Sequence, residues 1–250
     1  MHQMTLILVG AVSCLSAALA QTGGIQGTVT SIAPNPVGDS PVIATAVAGA
    51  RITYRRVPIY GPARAGSMPQ LAPGEVLFDT SVVADANGKH TVSGLPAGNY
   101  VVCAAAAGQP LLDPCRWGLS PFVRVQIGSI SNLNIQLERG VYLAVRVNDP
   151  QRLLPTSAET LFDTPRLIVG VVFGNGAFLA APQISADMGG RNYEVAVPTG
   201  APLYLWLFSR HVALADAQGK AFPLAGAAVP FNAAPGAGQS FTINVSGSLP

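Results

Sequence analysis

The sequence predicts an all-β protein made of two tandem antiparallel β-sandwiches. Charged residues make up 10% of the 250-residue chain, against roughly 25% in an average soluble domain. The chain is rich in turn formers, with 27 glycines and 21 prolines, and this composition disfavours long helices and favours short strands. Beyond the N-terminal segment no apolar run reaches the roughly 18 residues of a membrane span. The net charge of +2 is too small to indicate a nucleic-acid partner.

The first twenty residues are predicted to be a cleaved signal peptide. Leu6–Val12 forms a short apolar core, and Ala18-Leu19-Ala20 supplies the small residues that a signal peptidase needs at −3 and −1. The residues before this core contain no Lys or Arg, which departs from the usual pattern. Lipid attachment at Cys14 is the alternative, but Ala11-Val12-Ser13 is a poor lipobox. We therefore expect a secreted, periplasmic or cell-envelope protein.

The segment Ala84–Cys103 (ADANGKHTVSGLPAGNYVVC) carries the most structural information in the chain. Asn87-Gly88 is a hairpin turn signal, because both residues tolerate the positive φ of tight two-residue turns. A strand is predicted at His90–Ser93, then a corner at Gly94–Gly98, and then a second strand at Tyr100–Cys103.

This order of turn, strand, corner and strand resembles the carboxypeptidase regulatory-like family, whose signature is D-x-x-G-x-[YF] followed by G-L-P-x-G-x-Y. Asp85–Gly88 and Gly94–Tyr100 carry the resemblance. It implies a sandwich of the transthyretin-like, prealbumin-like or starch-binding-like type, and a scaffold or binding unit rather than a catalyst. We expect Leu95 to be a buried plug at the end of the sandwich with Tyr100 behind it, because Pro96 fixes φ and points its neighbour inward.

An internal repeat sets the predicted domain division. A shift of 102 positions aligns this segment without a gap to Ala186–Trp206 (ADMGGRNYEVAVPTGAPLYLW). The matched pairs include Asp85 with Asp187, Gly88 with Gly190, Pro96 with Pro198 and Gly98 with Gly200. Matches of Gly and Pro arise easily by chance in such a chain, and the second copy lacks the Gly-Leu of the corner. We predict a duplication, with a first sandwich at 22–139 and a divergent second one at 140–250.

Further strands are predicted from alternating apolar residues and turn signals. An Asn175-Gly176 hairpin is expected in the second unit. The predicted strands of the first unit are Gly24–Thr30, Val47–Arg55, Phe122–Arg124 and Asn132–Leu137, and those of the second are Gly140–Asn148, Leu167–Phe173, Ala177–Ala180 and Ser240–Val245.

Cys103 and Cys115 remain once Cys14 leaves with the signal peptide. In an oxidising compartment an even pair predicts a disulfide. It closes a loop of about a dozen residues and contributes about 3 kcal/mol in the chain-entropy model. A metal site or a reactive thiol has no local support, because no His lies nearby and the spacing matches no zinc motif. Trp117 is expected beside the bond.

The sequence motifs indicate no catalytic residues, no metal and no cofactor. Neither His90 nor His211 is followed by the H-x-x-E spacing of zinc carboxypeptidases. The closely spaced His pair of intradiol dioxygenases, the terminal Tyr-Arg-Gly-Ser of hydroxyisourate hydrolases, the G-x-S-x-G elbow and the P-loop are also missing from the sequence. His90 is therefore interpreted as a solvated strand residue, and Asp85–Gly88 as a plain turn rather than half of a calcium loop.

A basic cluster precedes the signature segment. Residues 40–74 contain no Asp or Glu, and the cluster consists of Arg51, Arg55, Arg56 and Arg64. The connection Val57–Gly74 is long for a β loop, which makes it a candidate functional or disordered segment. The cluster is either a solvated basic edge or a contact for an anionic surface or glycan.

The segment Leu203–Phe208 (LYLWLF) is the candidate binding strand. Its period of two places three leucines on one face and Tyr204, Trp206 and Phe208 on the other. The leucine face suits the core, and the aromatic face needs a cover from the first domain, a partner subunit or a glycan.

Two classes of function fit these observations. The first is a non-catalytic structural or interaction module at the cell envelope, with a glycan or another envelope protein as its partner. The second is a carbohydrate-binding module. The candidate binding residues are Trp117, Tyr204, Trp206, Phe208, Arg55, Arg56 and Arg64.

Overall fold

The computed structural model describes residues 22–32, 44–62, 68–117, 120–154, 166–174, 176–224 and 226–249. The predicted signal peptide and Arg64 lie outside these ranges. The elements are β1 (Thr22–Ile32), β2 (Ala44–Ala46), β3 (Arg51–Arg56), β4 (Asp79–Val83), β5 (Lys89–Pro96), β6 (Gly98–Ala105), β7 (Leu111–Leu112), α1 (Pro114–Trp117), β8 (Phe122–Val125), β9 (Ile130–Asn132), β10 (Ile135–Arg139), β11 (Val141–Asn148), β12 (Ile168–Phe173), β13 (Phe178–Ala180), β14 (Gln183–Asp187), β15 (Gly190–Val197), β16 (Pro202–Phe208), β17 (Val212–Ala215), β18 (Ala227–Asn232) and β19 (Gln239–Ser248).

The all-β fold class is confirmed, because these elements form two successive β-sandwiches. In the first sandwich, β1 pairs with β2, β5, β9 and β10, and β7 joins the edge of β10. The facing sheet has the order β4-β3-β6-β8. Most strand pairs are antiparallel, whereas β1 runs parallel to β9 and β10. Among the described residues no helix is long and apolar enough to cross a membrane.

The first core lies between these two sheets and is closed by the predicted corner. Ile25 and Ile135 contribute from one sheet, and Tyr54 contributes from the other. Leu95 and Tyr100 are fully buried in the same cluster, and the Tyr100 hydroxyl donates a hydrogen bond to the carbonyl oxygen of Pro96 at 2.8 Å. The plug expected from the Gly-Leu-Pro corner is present.

The Asn87-Gly88 turn differs from the prediction in what it connects. Gly88 has the expected positive φ of 72°, and the carboxylate of Asp85 accepts hydrogen bonds from the backbone N–H groups of Asn87 and Lys89, both at 2.8 Å. However, β4 and β5 belong to opposite sheets. The turn carries the chain across the sandwich, so the expectation of a β-hairpin at this position was wrong.

His90 is buried, so its interpretation as a solvated residue was also wrong. Its Nδ1 lies 2.6 Å from the Tyr54 hydroxyl and its Nε2 lies 3.2 Å from the carbonyl oxygen of Leu133. The ring fits because the residue of β1 that pairs with His90 is a glycine, Gly27. A Cβ at residue 27 would lie 3.1 Å from Nε2 of His90. The predicted strand Asn132–Leu137 is interrupted at Leu133, the residue that accepts this contact.

The second sandwich packs a sheet of order β14-β15-β11-β19-β17 against a sheet of order β13-β12-β16-β18. Alternate residues of β11 are buried, as the sequence predicted, and the leucines of β16 face them across the core. The antiparallel pairing of β12 with β13 shows the predicted hairpin, although Asn175 itself lies outside the described residues.

The two sandwiches share an order of strands. The series β5-β1-β10 corresponds to β15-β11-β19, and β4-β3-β6-β8 corresponds to β13-β12-β16-β18. In the first unit β1 runs antiparallel to β5 and parallel to β10. In the second unit β11 likewise runs antiparallel to β15 and parallel to β19. The duplication and the domain bounds at 139 and 140 remain predictions that this correspondence supports.

The ungapped shift of 102 positions holds at the corner but not in the strand before it. Leu95 and Val197 are both buried, as a structural match requires. The shift also pairs buried Val92 with half-buried Glu194, whereas buried Val195 lies one residue further on. The first unit has a register irregularity between Gly23 and Gly24 where β1 pairs with β5, and this irregularity accommodates the extra residue.

A single residue joins the two sandwiches. β10 ends at Arg139 and β11 begins at Val141, so only Gly140 lies between them. The N–H group of Gly140 donates to the carbonyl oxygen of Pro110 at 2.7 Å. A Cβ at residue 140 would lie 2.3 Å from the carbonyl oxygen of Val197 and 2.8 Å from Cδ2 of Leu112, so the close approach of the two units requires glycine here.

Candidate functional site

The candidate site is the outward side of the sheet β13-β12-β16-β18. Strand β16 buries its three leucines in the second core and turns its aromatic residues away from it, as the period of two predicted. We call this outward side the aromatic face and define it by Phe178, Val172, Tyr204, Pro230, Trp206 and Phe208.

Strand pairing arranges the aromatic face in rows. Val172 of β12 pairs with Phe178 on one side and Tyr204 on the other, and Tyr204 pairs with Pro230 of β18. Neighbouring strands lie about 4.8 Å apart, so the backbones of Phe178 and Tyr204 are separated by about 10 Å. These two are the most open of the aromatic side chains of the face, with 46% and 36% of their surface exposed.

The Phe178 ring packs over a glycine of the neighbouring strand. Gly170 pairs with Ala180 and with Trp206 in the next row of the sheet. A Cβ at residue 170 would lie 2.3 Å from the ring of Phe178, so that ring lies over the glycine. Phe178 was not among the residues predicted from the sequence. The available signal was the glycine within an otherwise apolar strand, followed after a hairpin turn by an aromatic residue.

The other two aromatic residues are partly covered. A Cβ at Gly226 would lie 2.7 Å from the ring of Trp206, so the segment leading into β18 shields that indole. The guanidinium of Arg210 lies 6.0 Å from the centre of the Phe208 ring, which is the geometry of a cation–π contact. The accessible part of the aromatic face is therefore centred on Tyr204 and Phe178 rather than on Trp206.

Trp117 does not belong to the aromatic face. It packs against the second core and makes an edge-to-face contact with Phe173, with ring centres 4.2 Å apart. Phe173 also packs against that core. The structure therefore does not bring Trp117 together with the other aromatic candidates.

The predicted Cys103–Cys115 disulfide is present, with Cα atoms 5.4 Å apart. Asp113 lies close enough that these three residues resemble a metal-ligating group. Both sulfurs are consumed by the disulfide, however, and a disulfide offers no thiolate for a metal. Burial raises the pKa of the Asp113 carboxyl, against the opposing effects of the hydrogen bond from the Cys115 N–H group and the nearby charge of Arg116.

The basic cluster is divided by the fold. Arg51 and Arg55 are exposed on β3, whereas Arg56 forms an ion pair with Glu75 at 2.9 Å. Both partners are largely buried, with 15% and 8% of the side-chain surface exposed. The prediction that Arg56 belongs to an open basic edge was wrong, because the first carboxylate after the acid-free stretch neutralises it.

The described residues of the long connection after β3 form an antiparallel ribbon. Gly61 donates to the carbonyl oxygen of Gln70, and Ala72 donates to that of Ile59, both at 2.9 Å. These bonds lie on either side of an antiparallel bridge between Tyr60 and Leu71. Residues 63–67 lie outside the described residues, so the role of this connection stays a prediction.

The chain matches no family model and no curated protein. Several solved structures are weakly similar. The TIE protein of Bacillus anthracis has 11% identity and a TM-score of 0.32 over 90% of this chain and 34% of its own. A streptococcal ancillary pilin has 14% identity and a TM-score of 0.35, over 90% and 63%. The minor pilin of Streptococcus agalactiae has 12% identity and a TM-score of 0.33, over 90% and 98%. At these values the likeness does not establish a shared function.

Proposed function

We propose that the protein is an exported, non-catalytic β-sandwich protein that acts as a structural or interaction module at the cell envelope. The observation that carries this proposal is the aromatic face, an apolar surface on a regular sheet with Tyr204 and Phe178 open to solvent. Contiguous exposed apolar surface of this kind typically marks an interaction site. The Cys103–Cys115 disulfide supports export, because such bonds persist in oxidising compartments.

The finer assignments belong to the same proposal. The buried Leu95 and Tyr100 corner supports a first unit of the carboxypeptidase regulatory-like type. Residues 1–20 act as a signal peptide, and the mature chain is divided into units at 22–139 and 140–250. The partner is another envelope protein that docks on the aromatic face through its own apolar surface.

Carbohydrate binding is the second candidate function. Phe178 and Tyr204 expose two aromatic rings on one side of the sheet, with their backbones about 10 Å apart, and Tyr204 adds a hydroxyl group. Aromatic rings with a polar edge suit ligands that are apolar on one side and hydrated on the other, which describes the ring faces of a sugar chain.

Co-sedimentation of the mature chain with cell-envelope fragments of the source organism tests both candidates. The test variant is Phe178→Ser with Tyr204→Ser. The matched control is Phe122→Ser, which removes an exposed aromatic residue from an edge strand of the first unit. We expect the double variant to lose at least about 10-fold in affinity, equivalent to about 1.4 kcal/mol, while the control binds normally.

Pretreatment of the fragments separates the two kinds of partner. Protease treatment abolishes binding if the partner is a protein, and periodate oxidation abolishes it if the partner is a glycan. If the double variant binds as well as the unchanged protein, the aromatic face is not the site. If the unchanged protein does not bind to either untreated or treated fragments, the interaction role itself is refuted.

A further inference from the structure

An aromatic side chain of the first sandwich packs against the core of the second. Trp117 ends α1, which follows β7 in the first unit. Its indole packs against the cluster of buried residues between the sheets of the second sandwich and meets the Phe173 ring edge to face. Aromatic pairs of this geometry stabilise a contact beyond the area that they bury.

The short helix that carries Trp117 cannot hold this position alone. It has four residues, none of them buried, and isolated helices of this length do not persist in water. Its hydrogen bonds are local: the Asp113 carbonyl oxygen accepts from the N–H groups of Arg116 and Trp117 at 2.9 and 3.0 Å. These bonds shape the turn, and the Asp113 carboxylate just before the helix also accepts a hydrogen bond from the backbone N–H group of Ala104 in β6.

The disulfide adds a covalent tie between the helix and the first sandwich. Cys115 lies within the helix, two residues before Trp117, and Cys103 lies in β6, a central strand of the sheet β4-β3-β6-β8. In β6, Cys103 pairs with Thr53 of β3. A covalent bond therefore connects the helix to a paired strand of the first sandwich.

We propose that the Cys103–Cys115 disulfide, which lies within the first unit, holds Trp117 against Phe173 of the second unit and thereby fixes the orientation of the second unit relative to the first. We call the disulfide, Trp117 and Phe173 together the clasp. At Gly140 the two units already lie close together, because Leu112 of the first and the Val197 carbonyl oxygen of the second both adjoin that residue. The Trp117–Phe173 pair is a second contact between the units, and two contacts together prevent rotation of one unit against the other about the connection.

The clasp is separable from the folding of each unit. The buried residues of the first core lie in the strands and turns between Ile25 and Leu137, and those of the second lie between Val141 and Val245. Neither cysteine belongs to either cluster of buried residues, so reduction of the disulfide leaves both cores with all of their side chains. With a dithiol reductant, the bond gains two electrons and two protons to give two thiols, while the dithiol becomes a disulfide. The units then move independently while both remain folded.

Nuclear magnetic resonance relaxation of the full mature chain tests the proposal, because backbone ¹⁵N relaxation gives a rotational correlation time for each unit. The unchanged protein should show one shared value. Trp117→Ala, and separately Cys103→Ser with Cys115→Ser, should each shorten the correlation times of both units by roughly 1.5-fold, because each unit then tumbles with about half the mass. Trp206→Ala, which removes the other tryptophan, is the matched control and should retain the shared value.

Backbone chemical shifts show in the same samples that both sandwiches remain folded. A shared, unshortened correlation time in folded Trp117→Ala protein would overturn the proposal, because Gly140 and its neighbours would then suffice for rigidity. A shared value in the double serine variant, with separate values in Trp117→Ala, would also overturn it, because the disulfide would not be what holds Trp117. Reduction by dithiothreitol should reproduce the double serine variant.

Discussion

Acidification should destabilise the first sandwich through His90. The ring is buried, and its Nε2–H group donates to the carbonyl oxygen of Leu133. Nδ1 is then the acceptor of the Tyr54 hydroxyl proton, at 2.6 Å. The Tyr54 hydrogen bond requires the neutral ring, because a proton on Nδ1 would face the hydroxyl proton of Tyr54, whereas the bond to Leu133 forms with either ring state. Burial accordingly lowers the pKa of His90 below 6.5, against the opposing effect of the Leu133 hydrogen bond.

The sign and size of the effect follow from proton linkage. The unfolded chain protonates this histidine with a pKa of about 6.5, whereas the folded chain does so only at lower pH. The stabilising contribution is therefore complete above pH 6.5 and is lost as the pH falls below it. The loss proceeds at no more than about 1.4 kcal/mol per pH unit and stops once the folded state also takes up the proton. Between pH 7.5 and 5.5 we expect the free energy of unfolding to fall by about 1 kcal/mol.

Urea unfolding followed by circular dichroism at the two pH values measures this loss. His90→Gln keeps a donor and an acceptor at the same position but does not titrate, so the loss between the two pH values should shrink by about 1 kcal/mol. His211→Gln removes the exposed histidine and is the matched control, with an unchanged loss. If His90→Gln protein loses as much stability on acidification as the unchanged protein, His90 is not the titrating group.

Two further changes test the packing. Leu95→Ala should lower the free energy of unfolding in urea by about 2–5 kcal/mol, as large-to-small changes in a core do. Leu224→Ala, at an exposed position, should change it by no more than about 0.5 kcal/mol. A decrease below about 1 kcal/mol for Leu95→Ala would contradict the role of Leu95 as a plug. Gly190→Ala should lower the melting temperature by the equivalent of at least about 1 kcal/mol, because φ is 154° and the new Cβ would lie 2.0 Å from the Val147 carbonyl oxygen. Gly247→Ala, with open space around it, is its control, and equal melting temperatures for the two variants would refute the steric argument.

Features that depend on local pattern could be predicted from the sequence. The alternation in Val141–Asn148 and Leu203–Phe208 specifies which residues face a core, because successive side chains of a strand point to opposite faces of the sheet. The Gly-Leu-Pro corner likewise contains the turn and the plug within five residues. The disulfide was also predictable, because an even pair of cysteines behind a predicted signal peptide has few other uses.

Features that depend on distant residues could not be predicted in this way. His90 is an ordinary polar strand residue in the sequence, and its burial depends on the space that Gly27 leaves and on a carbonyl group from Leu133. The charge of Arg56 is neutralised by Glu75, which lies 19 residues further along the chain, after the bridge between Tyr60 and Leu71. The Phe178 contribution to the aromatic face requires the register of the β12–β13 hairpin. Each is a consequence of tertiary structure rather than of local pattern.

The parallel pairing within each sandwich has a mechanical consequence. In the first unit β1 lies beside β9 and β10, and in the second β11 lies beside β19 over the six pairs from Leu143 with Gln239 to Asn148 with Asn244. A tension applied along the chain pulls the start of the first strand and the end of the last strand in opposite directions. Parallel neighbours loaded in this way slide along each other, so their hydrogen bonds bear the load together instead of opening one at a time. Each unit therefore resists stretching along the direction of the chain.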